Sequence, residues 1–280
     1  MLIVSDLDGT LVGRNAPLSA ADRQSFLEAK TAGAICAIAT GRSLLGVQKE
    51  IEPNFPLDYL IFSSGAGIYD WKSKKLLRDV SMGSEEVLSV YSYLSQQRKD
   101  FTIQLSALES HRFFYTPKNP DNQDFMARLD YHAEHGTPLD PTRLPQKASE
   151  FIIIQSQPSP RELFETLHHT LTPLFNVVRA TSPFDGRSLW IEVFHPKASK
   201  AHAAEWIRER HQIPASKTFA IGNDYNDLQL LTWAGNPVVV GDAAPELLAE
   251  YPKVRRQVDS AFTHAWSDWK KVLCGKSNGS

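Results

Sequence analysis

Short apolar runs alternate with amphipathic helical patterns at the two ends of the chain. Near the N-terminus, LIVSD precedes SAADRQSFLEAKTAG, in which Ser19 is placed to cap a helix and Gly33 to end it. Two more apolar runs, AICAIATGR and DYLIFSSGAGIYD, are each predicted to be one strand. The C-terminal part repeats the alternation in SKAHAAEWIRERHQ, TFAIG, NDLQLLTWAG, PVVVG and APELLAEY. Because parallel strands need crossover connections, this pattern predicts a parallel sheet with helices on both faces.

The pattern changes in the middle of the chain, where strand-like and helical segments no longer alternate regularly. This part contains SEEVLSVYSYLSQQ, HRFFYT, EFIIIQS, PRELFETLHHTL, FNVVRAT and SLWIEVF. Such a mixture indicates a separate α+β unit of roughly a hundred residues, which is a usual domain size. We therefore predict an α/β core formed by residues 1–82 and 189–280, with an α+β cap formed by residues 83–188 inserted into it.

Charge and cysteine content narrow the classes of partner. The chain has 30 basic and 32 acidic residues, so no basic face is forced by composition and we expect no nucleic-acid partner. Cys36 and Cys274 lie far apart in the sequence and lack the close spacing of a metal site. Two isolated cysteines of this kind are typical of a protein in a reducing compartment. No stretch approaches the length of a signal peptide or a membrane span. We expect a cytoplasmic protein without a membrane partner.

The first place with candidate chemistry is DLDGT, which directly follows the apolar run LIVSD. Asp6 and Asp8 emerge at the carboxyl end of the predicted strand, where open parallel sheets form their sites. One carboxylate can attack phosphorus while the other handles the proton of the leaving oxygen. Two solvated acids beside a glycine turn are the alternative, and they are the commoner meaning of D-x-D alone.

Two further loops offer groups suited to a phosphate. ATGRS places the Thr40 hydroxyl and the unobstructed Gly41 N–H at a strand end, although Thr40 could simply cap the next helix. In HPKASK, Lys200 falls in the first helical turn after the cap Ser199, where the helix dipole disfavours a cation unless an anion is near. A solvated lysine is the alternative there, and Lys197 is a competing candidate.

The fourth loop, FAIGNDYNDLQLL, clusters oxygen-bearing side chains at a strand end. Oxygen donors suit a hard cation such as Mg²⁺, which takes few protein ligands and keeps waters. Capping of the following helix is the alternative, but one cap needs only one such residue. The candidates are Asn223, Asp224, Asn226 and Asp227.

These four elements, in this order, resemble the haloacid dehalogenase (HAD)-like superfamily of phosphohydrolases. The layout resembles the Cof-type subgroup, subfamily IIB, which is related to sucrose-phosphate phosphatase and has a Rossmann-like core with an inserted C2B-type cap. The resemblance implies that Asp6 is the nucleophile and Asp8 the general acid/base. It assigns phosphate binding to Thr40, Gly41, Lys200 and Asn226. It assigns Mg²⁺ binding to Asp6, to the backbone carbonyl of Asp8, and to a choice left open among Asn223, Asp224 and Asp227.

Three departures from the subgroup accompany the resemblance. Asn223 stands where a metal-binding aspartate is usual, SSGAG replaces an Asn-Gly-Ala run, and Ala201 follows Lys200 in place of glycine. The resemblance implies a Mg²⁺-dependent phosphatase of small phosphorylated metabolites, with sugar phosphates favoured, in a monomer or weak homodimer. The alternatives are a phosphomutase on the same scaffold and a catalytically weakened relative that only binds a ligand.

Overall fold

The computed structural model describes residues 1–13, 16–155, 160–182 and 184–277. The strands are β1 Leu2–Asp6, β2 Ile35–Ala39, β3 Tyr59–Phe62, β4 Gly67–Asp70, β5 Lys75–Asp79, β6 Met82–Gly83, β7 Phe101–Gln104, β8 Phe113–Tyr115, β9 Gly136–Pro138, β10 Lys147–Ala148, β11 Glu150–Gln155, β12 Asn176–Thr181, β13 Leu189–Phe194, β14 Thr218–Gly222 and β15 Asn236–Val239. The α-helices are α1 Ala20–Thr31, α2 Leu44–Glu50, α3 Ser84–Gln96, α4 Gln123–Tyr131, α5 Pro160–Leu171, α6 Lys200–Arg210, α7 Leu228–Trp233, α8 Pro245–Glu250 and α9 Ala261–Ser277. Within these ranges, no helix combines the length and the apolar character needed to span a bilayer.

The core is a seven-stranded sheet in the order β15-β14-β1-β2-β3-β4-β5, whose first five strands run parallel. Strand β1 lies in the middle and is buried along its whole length. Ile3 packs on one face with α1 and α9, whereas Leu2 and Val4 pack on the other face with α6. Burial on both faces explains why the strand is apolar without alternation. The predicted α/β fold with a parallel-sheet core is confirmed.

The segment DYLIFSSGAGIYD is a hairpin and not the single strand that its apolar content predicts. Strands β3 and β4 pair antiparallel, and β5 pairs antiparallel with β4 at the edge of the sheet. The reversal occurs at Ser63, Ser64 and Gly65, which have φ values of 46°, 50° and 98°. A side chain on Gly65 would lie 2.2 Å from the carbonyl oxygen of Ser199, so the turn also packs closely on the start of α6. Two left-handed serines are uncommon, and sequence periodicity did not predict them.

A second, six-stranded sheet has the order β12-β13-β11-β7-β8-β9 and is antiparallel apart from the β8–β9 pair. Helices α3 and α5 cover one face through Val87, Val90 and Leu167, and α4 covers part of the other through Phe125. We call this sheet with α3, α4 and α5 the cap. The predicted boundary at residue 188 lies one strand too early, because β13 pairs with β11 and β12 over its whole length. Its apolar pattern looks the same in either sheet.

Candidate active site

The four loops singled out in the sequence meet at the carboxyl edge of the core sheet. Asp6 ends β1, Thr40 follows β2, and Asn223 follows β14, whose positions flank β1 on both sides. Lys200 begins α6, which is capped by Ser199 through a bond from the His202 N–H. The topology therefore brings side chains from distant parts of the sequence to one point, as open parallel sheets do.

Lys200 joins two buried carboxylates. Its ammonium donates to Asp6 Oδ1 at 2.7 Å and to Asp227 Oδ1 at 2.5 Å, and all three side chains are almost inaccessible to solvent. Burial disfavours the charged ammonium, but the carboxylates of Asp227 and Asp6 raise the pKa of Lys200 above its ordinary value. A cation in the first turn of a helix, which the dipole disfavours, is thus explained by two anions. Lys197, the competing candidate, is exposed.

Asp6 is held in a strongly perturbed environment. Burial, together with the nearby Asp227 carboxylate, raises the pKa of Asp6 to about 8, although Lys200 acts in the opposite direction. Two carboxylates sharing one ammonium leave excess negative charge in a site without solvent. Additional positive charge beside Asp6 would therefore favour its ionised form.

The Asp8 side chain, unlike that of Asp6, is half exposed, and it forms an ion pair with Arg42. The Arg42 guanidinium donates to Asp8 through Nε at 2.9–3.0 Å and through Nη2 at 2.7 Å. Arg42 also contacts Glu50 Oε1 through Nη1 at 2.8 Å, which anchors it to α2. Arg42 lies in ATGRS but was not predicted to be a site residue. A fork-like donor placed two residues after a phosphate-loop threonine was the available signal.

Removing the Arg42 guanidinium should slow turnover without unfolding the protein. We expect Arg42→Ala to lower kcat about 10–100-fold, because Asp8 would lose the bidentate contact that orients it for proton transfer. Arg161→Ala, which breaks the exposed pair with Glu165, is the matched control. Steady-state phosphate-release kinetics of the two variants measure the difference, and an Arg42→Ala rate equal to that of Arg161→Ala would refute an orienting role.

The fourth loop is built around Asp227. One carboxylate oxygen of Asp227 accepts from Lys200, and the other accepts from the backbone N–H groups of Asn223 at 2.9 Å and Asp224 at 3.2 Å. A side chain on Gly222 would lie 2.7 Å from the Asp227 carboxylate, so the loop requires glycine there. Both oxygens of Asp227 are thus occupied by protein donors.

Asp224 joins the loop to the cap. Its Oδ1 accepts from the Tyr225 N–H at 2.8 Å, and its Oδ2 accepts from the Thr181 N–H at the end of β12 at 3.1 Å. The Arg179 guanidinium of β12 lies 3.8 Å from the Tyr225 ring centre, which strengthens the same contact. The cap therefore rests directly on the loop that carries the candidate metal and phosphate groups. Asn226 lies half-buried on this loop.

Asn223 faces Asp6 and Asp8 with the end of its side chain. One terminal amide atom lies 2.9 Å from the Asp8 carbonyl oxygen and 3.2 Å from Asp6 Oδ2. The rest of the amide packs on Gly9, where a side chain would come within 2.2 Å of Asn223 Nδ2 and where φ is +78°. Glycine at position 9 is therefore required both by the backbone conformation and by the close approach of Asn223.

The donors around Asn223 suit a hard divalent cation. Asp6 Oδ2, the Asp8 carbonyl oxygen and the inner end of the Asn223 amide converge, and each of the three groups has an oxygen of the kind that Mg²⁺ binds. In the described part of the chain, no group of three His, Cys, Asp or Glu side chains has the geometry to hold a metal. A site made from one carboxylate, one backbone carbonyl and one amide is consistent with that finding.

The chain is similar in sequence to known hydrolases and phosphatases. The haloacid dehalogenase-like hydrolase family model matches residues 3–260. An HMP-PP phosphatase from Cronobacter sakazakii is 26% identical over 275 residues, which cover 94% of each chain.

Two solved structures share the fold. A phosphatase of the haloalkanoate (HAD) superfamily from Bacteroides thetaiotaomicron superposes with a TM-score of 0.79 at 17% identity, covering 96% of this chain and 94% of that one. A HAD subclass IIB sugar phosphatase superposes with a TM-score of 0.75 at 15% identity, covering 96% of this chain and 98% of that one. The family model spans nearly the whole chain, and the four loops singled out in the sequence lie together at one sheet edge. The chain belongs to the haloacid dehalogenase-like hydrolase family, as the order of its motifs predicts, and it is a hydrolase of the phosphatase type.

Proposed function

We propose that this protein is a Mg²⁺-dependent phosphatase of small phosphorylated metabolites, preferring sugar phosphates, that acts through an aspartyl-phosphate on Asp6. The observation that carries the proposal is the buried Asp6 carboxylate, fixed by Lys200 at 2.7 Å between the Thr40 loop and Asn223. The preference for sugar phosphates rests on the shared fold of the subclass IIB sugar phosphatase.

The chemistry divides into two displacements at phosphorus. In the first, an Asp6 carboxylate oxygen forms a bond to phosphorus while the bond from phosphorus to the substrate oxygen breaks, and Asp8 gives that oxygen a proton. In the second, Asp8 takes a proton from water, the water oxygen bonds to phosphorus, and the bond to Asp6 breaks. Phosphate leaves and both carboxyl groups return to their starting forms.

The difference in exposure between Asp8 and Asp6 supports Asp8 as the proton-transfer residue. Asp8 is half exposed and can exchange protons with substrate and water, whereas Asp6 is buried. Arg42 holds the Asp8 carboxylate through Nε and Nη2, which supports a fixed orientation for giving and taking the proton.

Phosphate binding is assigned to Thr40, Gly41, Lys200 and Asn226. Lys200 supplies the buried positive charge beside the nucleophile. A side chain on Gly41 would make only an ordinary 3.5 Å contact with Ser64 Oγ, so protein packing does not require glycine there. A phosphoryl oxygen approaching the Gly41 N–H accounts for the missing side chain.

The cation would be held by Asp6, the Asp8 carbonyl and Asn223. Bound Mg²⁺ supplies positive charge that offsets the phosphoryl group and the Asp6 carboxylate. Asp224 and Asp227 were left open as ligands by the sequence, but their oxygens accept from Thr181, Tyr225, the loop N–H groups and Lys200. We therefore assign them to holding the loop and the cap.

Metal removal gives a direct test of this proposal. Phosphate release from an aryl phosphate and from a panel of sugar phosphates should fall to background in EDTA and recover when Mg²⁺ is added in excess. Ca²⁺, which prefers more ligands at longer distances, should restore less activity. Equal activity with and without EDTA would overturn the Mg²⁺ requirement. Transfer of phosphate within a sugar without release would instead identify a phosphomutase.

A further inference from the structure

The Asn223 side chain occupies a position that either of its terminal atoms can satisfy. With nitrogen inward, the amide donates to the Asp8 carbonyl at 2.9 Å and to Asp6 Oδ2 at 3.2 Å. With oxygen inward, the Asn223 oxygen lies at these same two distances from the Asp8 carbonyl oxygen and Asp6 Oδ2. Neighbouring oxygen ligands around Mg²⁺ lie about 2.8–3.0 Å apart, given metal–oxygen distances of about 2.0–2.1 Å. The same place therefore suits a hydrogen-bonded amide or a cation ligand.

The surroundings of Asn223 permit rotation of the amide without movement of the backbone. The backbone N–H of Asn223 donates to Asp227 Oδ2 at 2.9 Å, and the backbone carbonyl of Asn223 accepts from the Ala244 N–H at 3.0 Å. The main chain is therefore fixed on both sides of the side chain. The Thr10 hydroxyl lies 3.4 Å from the inward atom and can donate to oxygen or accept from nitrogen. Only the terminal torsion of the side chain needs to change.

An aspartate in this position cannot exchange roles in the same way. A carboxylate has only acceptors when ionised, so without a cation it would face Asp6 and the Asp8 carbonyl with no donor between them. Its extra charge would instead strengthen cation binding. Asparagine and aspartate are nearly equal in size, so the two differ here in donor capacity and charge.

We propose that the Asn223 amide closes the cation site in the metal-free enzyme by turning its nitrogen inward, and that it rotates to present its oxygen when the cation binds. The cation-bound half of this inference rests on the proposed function. The metal-free half does not depend on the proposed function. Two consequences follow. The metal-free protein keeps an ordered site, and binding must break two hydrogen bonds, which weakens affinity for the cation.

Asn223→Asp separates these consequences from a purely structural role. Thermal unfolding in EDTA measures the metal-free state, and electron paramagnetic resonance of Mn²⁺ measures binding without reference to activity. We expect Asn223→Asp to lower the Tm in EDTA by about 2–6 °C, to bind Mn²⁺ about tenfold more tightly, and to regain its Tm when Mn²⁺ is added. Asn54→Asp, which makes the same charge change on an exposed loop, should match wild type in both measurements.

Nuclear magnetic resonance of the wild-type protein supplies an independent readout if Asn223→Asp does not fold without metal. The Asn223 side-chain amide signals, identified by their absence in Asn223→Asp bound to Mg²⁺, should shift and exchange faster with water when Mg²⁺ is added. Any one of three results would overturn the inference. The first two are an Asn223→Asp Tm in EDTA equal to that of wild type and an Asn223→Asp affinity for Mn²⁺ no tighter than that of wild type. The third is that the Asn223 amide signals of the wild-type protein do not change when Mg²⁺ is added. A wild-type protein that binds no Mn²⁺ would refute the proposed metal requirement. The Tm measured in EDTA would still test whether the Asn223 nitrogen closes the metal-free site.

Discussion

Asp6→Asn should abolish phosphate release while leaving the protein folded. An amide is a poor nucleophile at phosphorus, and loss of a covalent nucleophile costs about 10⁶-fold in kcat in a well-measured hydrolase. The fold should survive because Lys200 keeps Asp227 as its partner and the new amide oxygen can still accept from Lys200. Asn223 can also turn its oxygen toward the new amide nitrogen.

The measurement is phosphate release from an aryl phosphate at saturating Mg²⁺, with thermal unfolding as the control for folding. A Tm within a few degrees of wild type together with activity at background supports Asp6 as the nucleophile. An Asp6→Asn enzyme that turns over at a substantial fraction of the wild-type rate would require a different attacking group, such as a directly activated water.

Lys200→Met should cost both activity and stability, since the substitution leaves two buried carboxylates without their cation. Breaking one side of a buried ion pair typically costs about 3–5 kcal/mol in the free energy of unfolding. Activity should fall to background, because the same ammonium orients Asp6 and is assigned to the phosphate. Lys197→Met is the matched control, since Lys197 is exposed three residues earlier.

The stability of Lys200→Met should also depend on pH in a defined direction. Burial already raises the pKa of Asp6 to about 8 with Lys200 present, so the folded variant binds a proton that the unfolded chain releases near pH 4. Its free energy of unfolding should therefore fall as pH rises from about 4 to 8 in EDTA. Thermal unfolding across this range checks the slope. A Lys200→Met protein as stable as Lys197→Met at pH 8 would show that the buried triad is not needed for folding.

The meeting point of the candidate residues could be predicted from the sequence better than the contacts among them. The parallel order of the strands decides where their ends meet, so the sequence could place five candidates at one sheet edge, and their catalytic and binding roles stay predictions: Asp6, Asp8, Thr40, Lys200 and Asn223. Whether Asp224 and Asp227 bind metal could not be predicted, because their roles depend on which N–H groups each carboxylate meets after folding.

Other features depend on geometry that a sequence pattern does not carry. Arg42 reaches Asp8 from a loop thirty-four residues later, and the Thr181 N–H that holds Asp224 belongs to the cap. The hairpin at Ser63 and Ser64 depends on backbone angles that are uncommon for serine. Strand β13 has the same apolar pattern in either sheet, which is why the predicted end of the cap was one strand early.

The most direct test of the covalent mechanism is mass spectrometry of the protein quenched in acid during turnover of an aryl phosphate. Asp8→Ala is the variant to use beside wild type, because an aryl leaving group needs little proton donation and loss of the base should slow hydrolysis of the intermediate. The mechanism predicts one phosphoryl group on Asp6, more abundant in Asp8→Ala than in wild type and absent from Asp6→Asn. Phosphate release by wild type with an unmodified Asp6 peptide at every quench time, in Asp8→Ala as well, would contradict it.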